Sequence, residues 1–311
     1  NRSDKLTDGD LVITLIDSSG SKKISQVALP GVKVPPEELI FELGDLTQVF
    51  TSLLVHELSI NGRLDLKISI NTLLPEGLQS TYFQDVSLQD CLSHTTGLPR
   101  LPNNIGAKQL DHNQPFEFYN PSDLAAFIRQ WKPSDDERNY QYSLIGYELV
   151  GIILEHQFNQ SFGQLIKDVL NPIYAFESLC TGSLGPLRKG RNKVGNEVEP
   201  MRFSSFLASS GLRSNSKDLG RILLDPEFRS RKAFLETLKI QANTAVDSSV
   251  SIASGWHQYT VNRHHTFYLH KGSTKGFSSF MAYHPNSQTG VVILSSKKVN
   301  LGPMGYYIMG Q

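Results

Sequence analysis

The chain has 311 residues, enough for a large core arranged as one domain or as two lobes sharing a cleft. Thirty Lys and Arg balance thirty Asp and Glu, so a formal net charge of zero offers no electrostatic case for nucleic acid or an anionic membrane. Apolar runs such as Leu149 to Leu154 are too short to span a bilayer, and Cys91 and Cys180 could pair but cannot build a disulfide framework.

The chain starts at Asn1 without a methionine, as after removal of a signal peptide or tag, and no signal peptide is legible in it. Residues 10–29 read as a hairpin. Leu11 to Ile16 is rich in β-formers, Asp17-Ser18-Ser19-Gly20-Ser21 is a turn, and Ile24 to Leu29 returns. Pro30 and Pro35-Pro36 then break regular structure. From Asp45 to Leu58 the residues Leu46, Val49, Phe50, Leu53, Leu54 and Leu58 recur at helical spacing, which predicts a one-sided amphipathic helix closed by Asn61-Gly62.

The middle of the chain reads as helix and loop. Helices are predicted from Pro121 through Trp131, from Tyr142 to His156, and at Phe162–Leu170, Ser216–Leu224 and Arg231–Ile240. Gly182 to Asn196, rich in Gly, Lys and Arg, reads as a solvated loop. Thr266 to His270, Gly276 to Tyr283 and Gly290 to Ser295 then form an antiparallel meander. His257, His264 and His265 lack the carboxylate or cysteine partners of a metal site and read as surface strand histidines, so neither metal nor cofactor is expected. Three glycines and a proline in Asn300 to Gln311 predict an irregular tail, leaving one sheet face open as a surface for a protein partner.

Strands at both ends with helices between imply an α+β fold. Its antiparallel sheet is formed by N- and C-terminal strands flanked by helices, with an inserted, mainly helical lobe. Residues 1–311 are expected to form a single domain, with the sheet lobe at about 1–60 and 240–311 and the helical lobe at about 61–239.

Four segments carry a resemblance. They are Phe41 to Thr51 with its follow-on Leu58 to Leu66, Leu88 to Pro99, Tyr142 to Gly151, and His270 to Phe277. Ser210 to Leu219 is a weaker fifth. In order and spacing they resemble the motifs of serine β-lactamases and penicillin-binding proteins, the family that includes class C β-lactamases, DD-peptidases and related esterases. The resemblance implies a β-lactamase/transpeptidase-like fold and an extracytoplasmic location. It also places the family's Ser-x-x-Lys nucleophile and base at Asp45 and Gln48, its tyrosine at Tyr142, and its final catalytic strand at His270, Lys271, Gly272 and Ser273. Leu144 stands where the family usually has Asn. His94 is read as structural.

Asp45 cannot replace a serine unchanged, because acyl transfer to a carboxylate gives an unstable anhydride. The positive end of a helix also favours its ionised form. Gln48 has no titratable group. Leu144 removes an amide that would orient the lysine and bind substrate. Exchanging Ser for Asp and Lys for Gln moves the pocket two units toward negative charge, so an anionic ligand is expected to meet repulsion unless Lys271 or Lys275 offsets it. Gly272 is expected to let a substrate backbone approach.

The expected function is therefore a relative without acyl-enzyme chemistry that binds a small-molecule or peptide-like ligand, or a protein partner, in the retained cleft. The alternative is an enzyme of changed mechanism. Asp45, Tyr142 and His270 would then serve elimination, isomerisation, cyclisation or residual hydrolysis through an activated water.

Overall fold

The computed structural model describes residues 10–19, 22–27, 34–108, 111, 114–132, 139–182, 187, 189–244, 247–263 and 265–310. His264 and parts of the 182–196 segment lie outside them. Eight strands among these residues form one sheet. They are β1 (Leu11–Ile16), β2 (Lys22–Val27), β3 (Ala242–Asn243), β4 (Val250–Ile252), β5 (His257–Asn262), β6 (His265–Ser273), β7 (Ser278–His284) and β8 (Thr289–Ser295). The order across the sheet is β2-β1-β8-β7-β6-β5-β4-β3, every neighbouring pair antiparallel. Leu11 lies opposite Ser295 and Ile16 opposite Gly290, so the first strand closes onto the last. This is the α+β architecture expected from the strand pattern.

Alternation along each strand divides the apolar residues between two cores. Val12, Ile16, Met281, Tyr283, Val292 and Leu294 enter a large core that continues into the helices. Leu11, Phe267, Leu269, Phe280, Ala282, Val291 and Ile293 face the other way into a smaller one. The longer helices are α1 (Thr47–Ile60), α2 (Pro121–Gln130), α3 (Leu144–Phe158), α4 (Ser216–Leu224) and α5 (Gly302–Met309). None is long and apolar enough to cross a membrane.

The helix after Asp45 is not one-sided: every residue from Thr47 to Leu58 is buried. It runs through the centre of the molecule, so its polar side chains are satisfied internally. Thr51 Oγ1 donates to the Ala208 carbonyl at 2.6 Å, and Ser52 Oγ lies 2.9 Å from the Tyr147 hydroxyl. Glu57 accepts from Tyr174 at 2.7 Å and from Arg231 at 3.1 Å.

The C-terminal tail is also corrected: it is the helix α5, packed over the smaller core. Its breakers sit where they do no damage. Pro303 falls in the first turn, where a missing N–H has no helical partner to lose, and Gly310 lies just past the end. A Cβ on Gly305 would come within 2.3 Å of the Phe280 ring, so this glycine sets the close approach of helix to sheet. That sheet face is therefore covered rather than open.

Two further points are settled. Cys91 and Cys180 form no disulfide with each other, Cys91 being buried and Cys180 Sγ lying 3.2 Å from the Gly182 carbonyl. The segment taken for a solvated loop carries a two-residue ladder, Gly190–Arg191 against Glu197–Val198. Another short ladder, Phe41–Glu42 against Arg213–Ser214, fixes the entry to α1 and is backed by a Glu42–Arg213 ion pair at 3.2 Å.

Candidate functional site

Three remote segments meet at the start of α1. A 3-10 turn, Gly44–Leu46, feeds the helix and presents Asp45. Strand β6 passes directly behind that turn. A Cβ on Gly272 would lie 2.0 Å from the Leu43 carbonyl oxygen, 2.6 Å from Leu46 N and 2.8 Å from Asp45 N. The glycine thus admits the protein's own turn, not a substrate backbone as the sequence suggested. The third segment is the loop after Cys91. Gln141 N donates to the His94 carbonyl at 2.8 Å, Ser143 N to His94 Nδ1 at 3.1 Å, and Leu144 N to the Arg100 carbonyl at 3.0 Å. Ser143 caps α3 by accepting from Gly146 N. Tyr142 therefore stands just outside the helix, next to Arg100. The structural part given to His94 agrees with this stitching.

The Asp45 carboxylate receives three donors. Arg100 Nη2 and the Tyr142 hydroxyl reach Oδ2 at 3.0 and 3.1 Å, and Ser210 Oγ reaches Oδ1 at 3.0 Å. Gln48 Nε2 donates to the Tyr142 oxygen at 3.0 Å. His270 Nδ1 lies 2.7 Å from the Gly255 carbonyl, which can only accept, so the neutral ring carries its proton there. Nε2 is left as an acceptor 3.5 Å from the Tyr142 oxygen. The tyrosine's single proton goes to Asp45, the nearer acceptor.

Burial dominates the electrostatics. It raises the Asp45 pKa above the usual carboxylate range, against the opposing pull of Arg100, Ser210 and Tyr142. Burial and then the Asp45 charge push Tyr142 well above its ordinary value. Burial also lowers His270 to about 4 and His257 to about 3, with His270 and Lys271 adding to the latter. The Arg100 side chain is 58% exposed and that of Asp45 14%, so their pairing is worth nearer the ~1 kcal/mol of a surface pair than a buried one.

These shifts give a stability prediction. A carboxyl whose folded pKa is raised costs stability progressively as pH climbs from its unfolded to its folded value, and the penalty is complete above the latter. Below the unfolded value, near ~3.9, both states hold the proton and the penalty is gone. Asp45→Asn is therefore expected to melt higher than the parent at pH 7, by about 1.5 °C per kcal/mol relieved. The gap should close as pH falls through the carboxylate range. Thermal melts from pH 3 to 8 check this, and a pH-independent difference would refute it.

Asp45, Arg100, Tyr142, His257, His270, Lys271, Gly272 and Ser273 all line one open cavity of about 1200 Å³. Strand β6 runs past its neighbour β5, whose pairing stops at Leu269 opposite His257, so His270 to Ser273 form an open edge there. Gln48 is wholly buried behind Tyr142. Leu144 does not face the cavity: it is buried in the large core at the start of α3, where its backbone, not its side chain, meets the site. The offset that the expected repulsion of anions left open to Lys271 is present, since Lys271 lines the cavity. Arg100 meets the Asp45 charge directly, and Lys193, Lys271, Lys297 and Lys298 share the lining.

His257 is not a surface histidine. Its ring lies 5.4 Å from that of His270 and 6.5 Å from that of His94, with the Tyr140 hydroxyl 3.2 Å from Nε2. Its alternation with Tyr259 in β5 carried that signal. His265 sits at the far end of β6, 2.6 Å from the Met309 carbonyl. Arg100 and Ser210 escaped sequence reasoning, although Arg100 directly follows Gly97-Leu98-Pro99 and Ser210 opens the fifth resembling segment.

Comparison with known proteins agrees with this architecture. The β-lactamase family model matches residues 26–307. A β-lactamase of Providencia stuartii is 26% identical over 242 residues, covering 75% of this chain and 53% of that protein. Protein flp of Staphylococcus aureus strain MW2 is 23% identical over 275 residues, covering 82% and 52%. The chain thus spans about half the length of these two relatives. Among solved structures, a class C β-lactamase from Rhodobacter sphaeroides superposes with a TM-score of 0.80 at 20% identity, covering 97% of this chain and 93% of that one. An octameric penicillin-binding protein homologue from Pyrococcus abyssi gives 0.79 at 20% identity, covering 97% and 72%. A family match over that length, on the same fold, makes this chain a member of the β-lactamase family.

Proposed function

We propose that this chain is a β-lactamase-family protein without acyl-enzyme chemistry, which binds a small ligand in the open cleft. In this reading Asp45 and Gln48 occupy the places of the family's nucleophile and base. One observation carries it: the group at the start of α1 is a carboxylate already engaged by Arg100, Tyr142 and Ser210. It offers no hydroxyl to attack, and its oxygens are directed at donors. Gln48 takes no proton and serves as a donor to Tyr142. His270, lowered to about 4, is neutral at pH 7 but a weak base. The cavity stays open because Leu144 does not fill it, which supports binding over a collapsed site.

Intact-mass spectrometry after incubation with benzylpenicillin and with a fluorophosphonate is expected to return the unmodified mass. An adduct on any cleft residue would overturn the proposal.

A second reading has one observation in its favour. Asp45, Tyr142 and His270 form a chain of contacts at 3.1 and 3.5 Å on the wall of one cavity, as acid–base chemistry needs. Against it, burial moves Tyr142 well above its ordinary value and His270 down to about 4, away from the neutral range in both cases. Adduct-free turnover of an ester or lactone, abolished by Tyr142→Phe, would put this reading first.

A further inference from the structure

The Gly190–Asn196 segment is built into the cleft. Arg191 N donates to the carbonyls of Ser296 at 2.8 Å and Gly276 at 3.1 Å, and Lys298 N donates back to the Arg191 carbonyl at 2.8 Å. Gly190 and Gly276 face each other so closely that a Cβ on either would come within 2.7 Å of the other's Cα. Three segments remote in sequence are thereby zipped together, and each brings a lysine: Lys193, Lys275 and Lys298. Lys193 and Lys298 line the cavity with Lys271 and Arg100, and among the described residues of that lining the carboxylate is Asp45.

Asp45 is taken by Arg100. Glu197, the acid of the zipped segment, is divided between Arg191 at 3.1 Å and Lys189 at 3.4 Å. Lys298 is half-buried, and its pKa is lowered by that burial and by the charges of Lys275 and Lys193, with Asp45 alone opposing. Gathering ammonium groups in this way opposes folding unless a ligand's charge meets them.

We propose that Lys193, Lys275 and Lys298, with Lys271 on the cleft wall, form a receptor for a small, multiply charged anion bearing phosphate or several carboxylates. A single negative charge leaves most of this excess unmet, whereas a polyanion engages several ammonium groups through charge-assisted hydrogen bonds. The proposal rests on the cleft being a binding site and specifies what enters it.

Isothermal titration of the intact protein with pyrophosphate, citrate and acetate tests it. Pyrophosphate or citrate is expected to bind at least about tenfold tighter than acetate, with affinity falling as salt rises. Preference for pyrophosphate assigns the phosphate class, and preference for citrate the polycarboxylate class. The Lys193→Gln/Lys298→Gln variant is expected to lose about tenfold for each ammonium removed. Lys67→Gln, an exposed lysine far from the cleft in sequence, should bind as the parent does. Equal binding by the double variant, or no binding of either polyanion by the parent, overturns the proposal. The absence of acyl-enzyme chemistry fails separately, on a penicillin or fluorophosphonate adduct, whatever the polyanions do.

Discussion

The double variant Asp45→Ser/Gln48→Lys is expected to hydrolyse a chromogenic ester about 10²-fold faster than the parent, and to take up a fluorophosphonate that the parent ignores. The surroundings for the exchange are in place. A serine at 45 would stand at the mouth of α1, with the Tyr142 hydroxyl at the distance now bridged by 3.1 Å to the carboxylate. A lysine at 48 would put its amine where Gln48 Nε2 now lies 3.0 Å from the tyrosine oxygen. Position 48 is wholly buried, so desolvation would lower that amine's pKa and make it a usable base. Removing the Asp45 charge also frees Arg100 to attract an anionic substrate. Ester turnover and labelled mass are the measurements. If both stay at the parent's level, the proposed absence of acyl transfer does not lie in these two residues alone.

Gly272→Ala is expected to destabilise the protein by about 3 kcal/mol or more, or to prevent its folding. All three atoms that the new Cβ would meet belong to the backbone of residues 43–46, the nearest at 2.0 Å, so no rotamer change relieves the clash. Strand β6 and the Gly44–Leu46 turn must separate. They abut from both sides, since a Cβ on Gly44 would come within 2.6 Å of Ser273 N. Their separation breaks the wall that holds Asp45 against the cleft. Gly106→Ala, with nothing within 4 Å, is the control and should stay within about 0.5 kcal/mol of the parent. Urea denaturation compares them. Parent-like stability of Gly272→Ala would return this glycine to the role first expected of it, room for a ligand.

Much of the architecture was legible before any coordinates, because strand alternation and helical spacing are local properties. The paired strands Leu11–Ile16 and Lys22–Val27 and the meander of the last sixty residues carry β-formers, and they build the sheet. The helix Ser216–Leu224 was readable to the residue from its apolar spacing, and the structure adds its cap, Asn215 accepting from Asp218 N. Local rules misled where tertiary packing overrode them. The breakers of the last segment fall at the ends and contact point of α5, and the polar positions of α1 face neighbours rather than water.

By itself the sequence determined the α+β class and the likeness to the family's motifs, and it suggested the proposal that Asp45 and Gln48 stand in the places of a hydroxyl and an amine. Only the tertiary structure decided what surrounds them. Arg100 and Ser210 reach Asp45 from 55 and 165 residues away, and the lysines of the cleft arrive on segments joined by backbone hydrogen bonds. No spacing rule encodes such meetings. The sign of a pocket's charge depends on which distant side chains share its low-dielectric wall, and that is fixed when the chain packs.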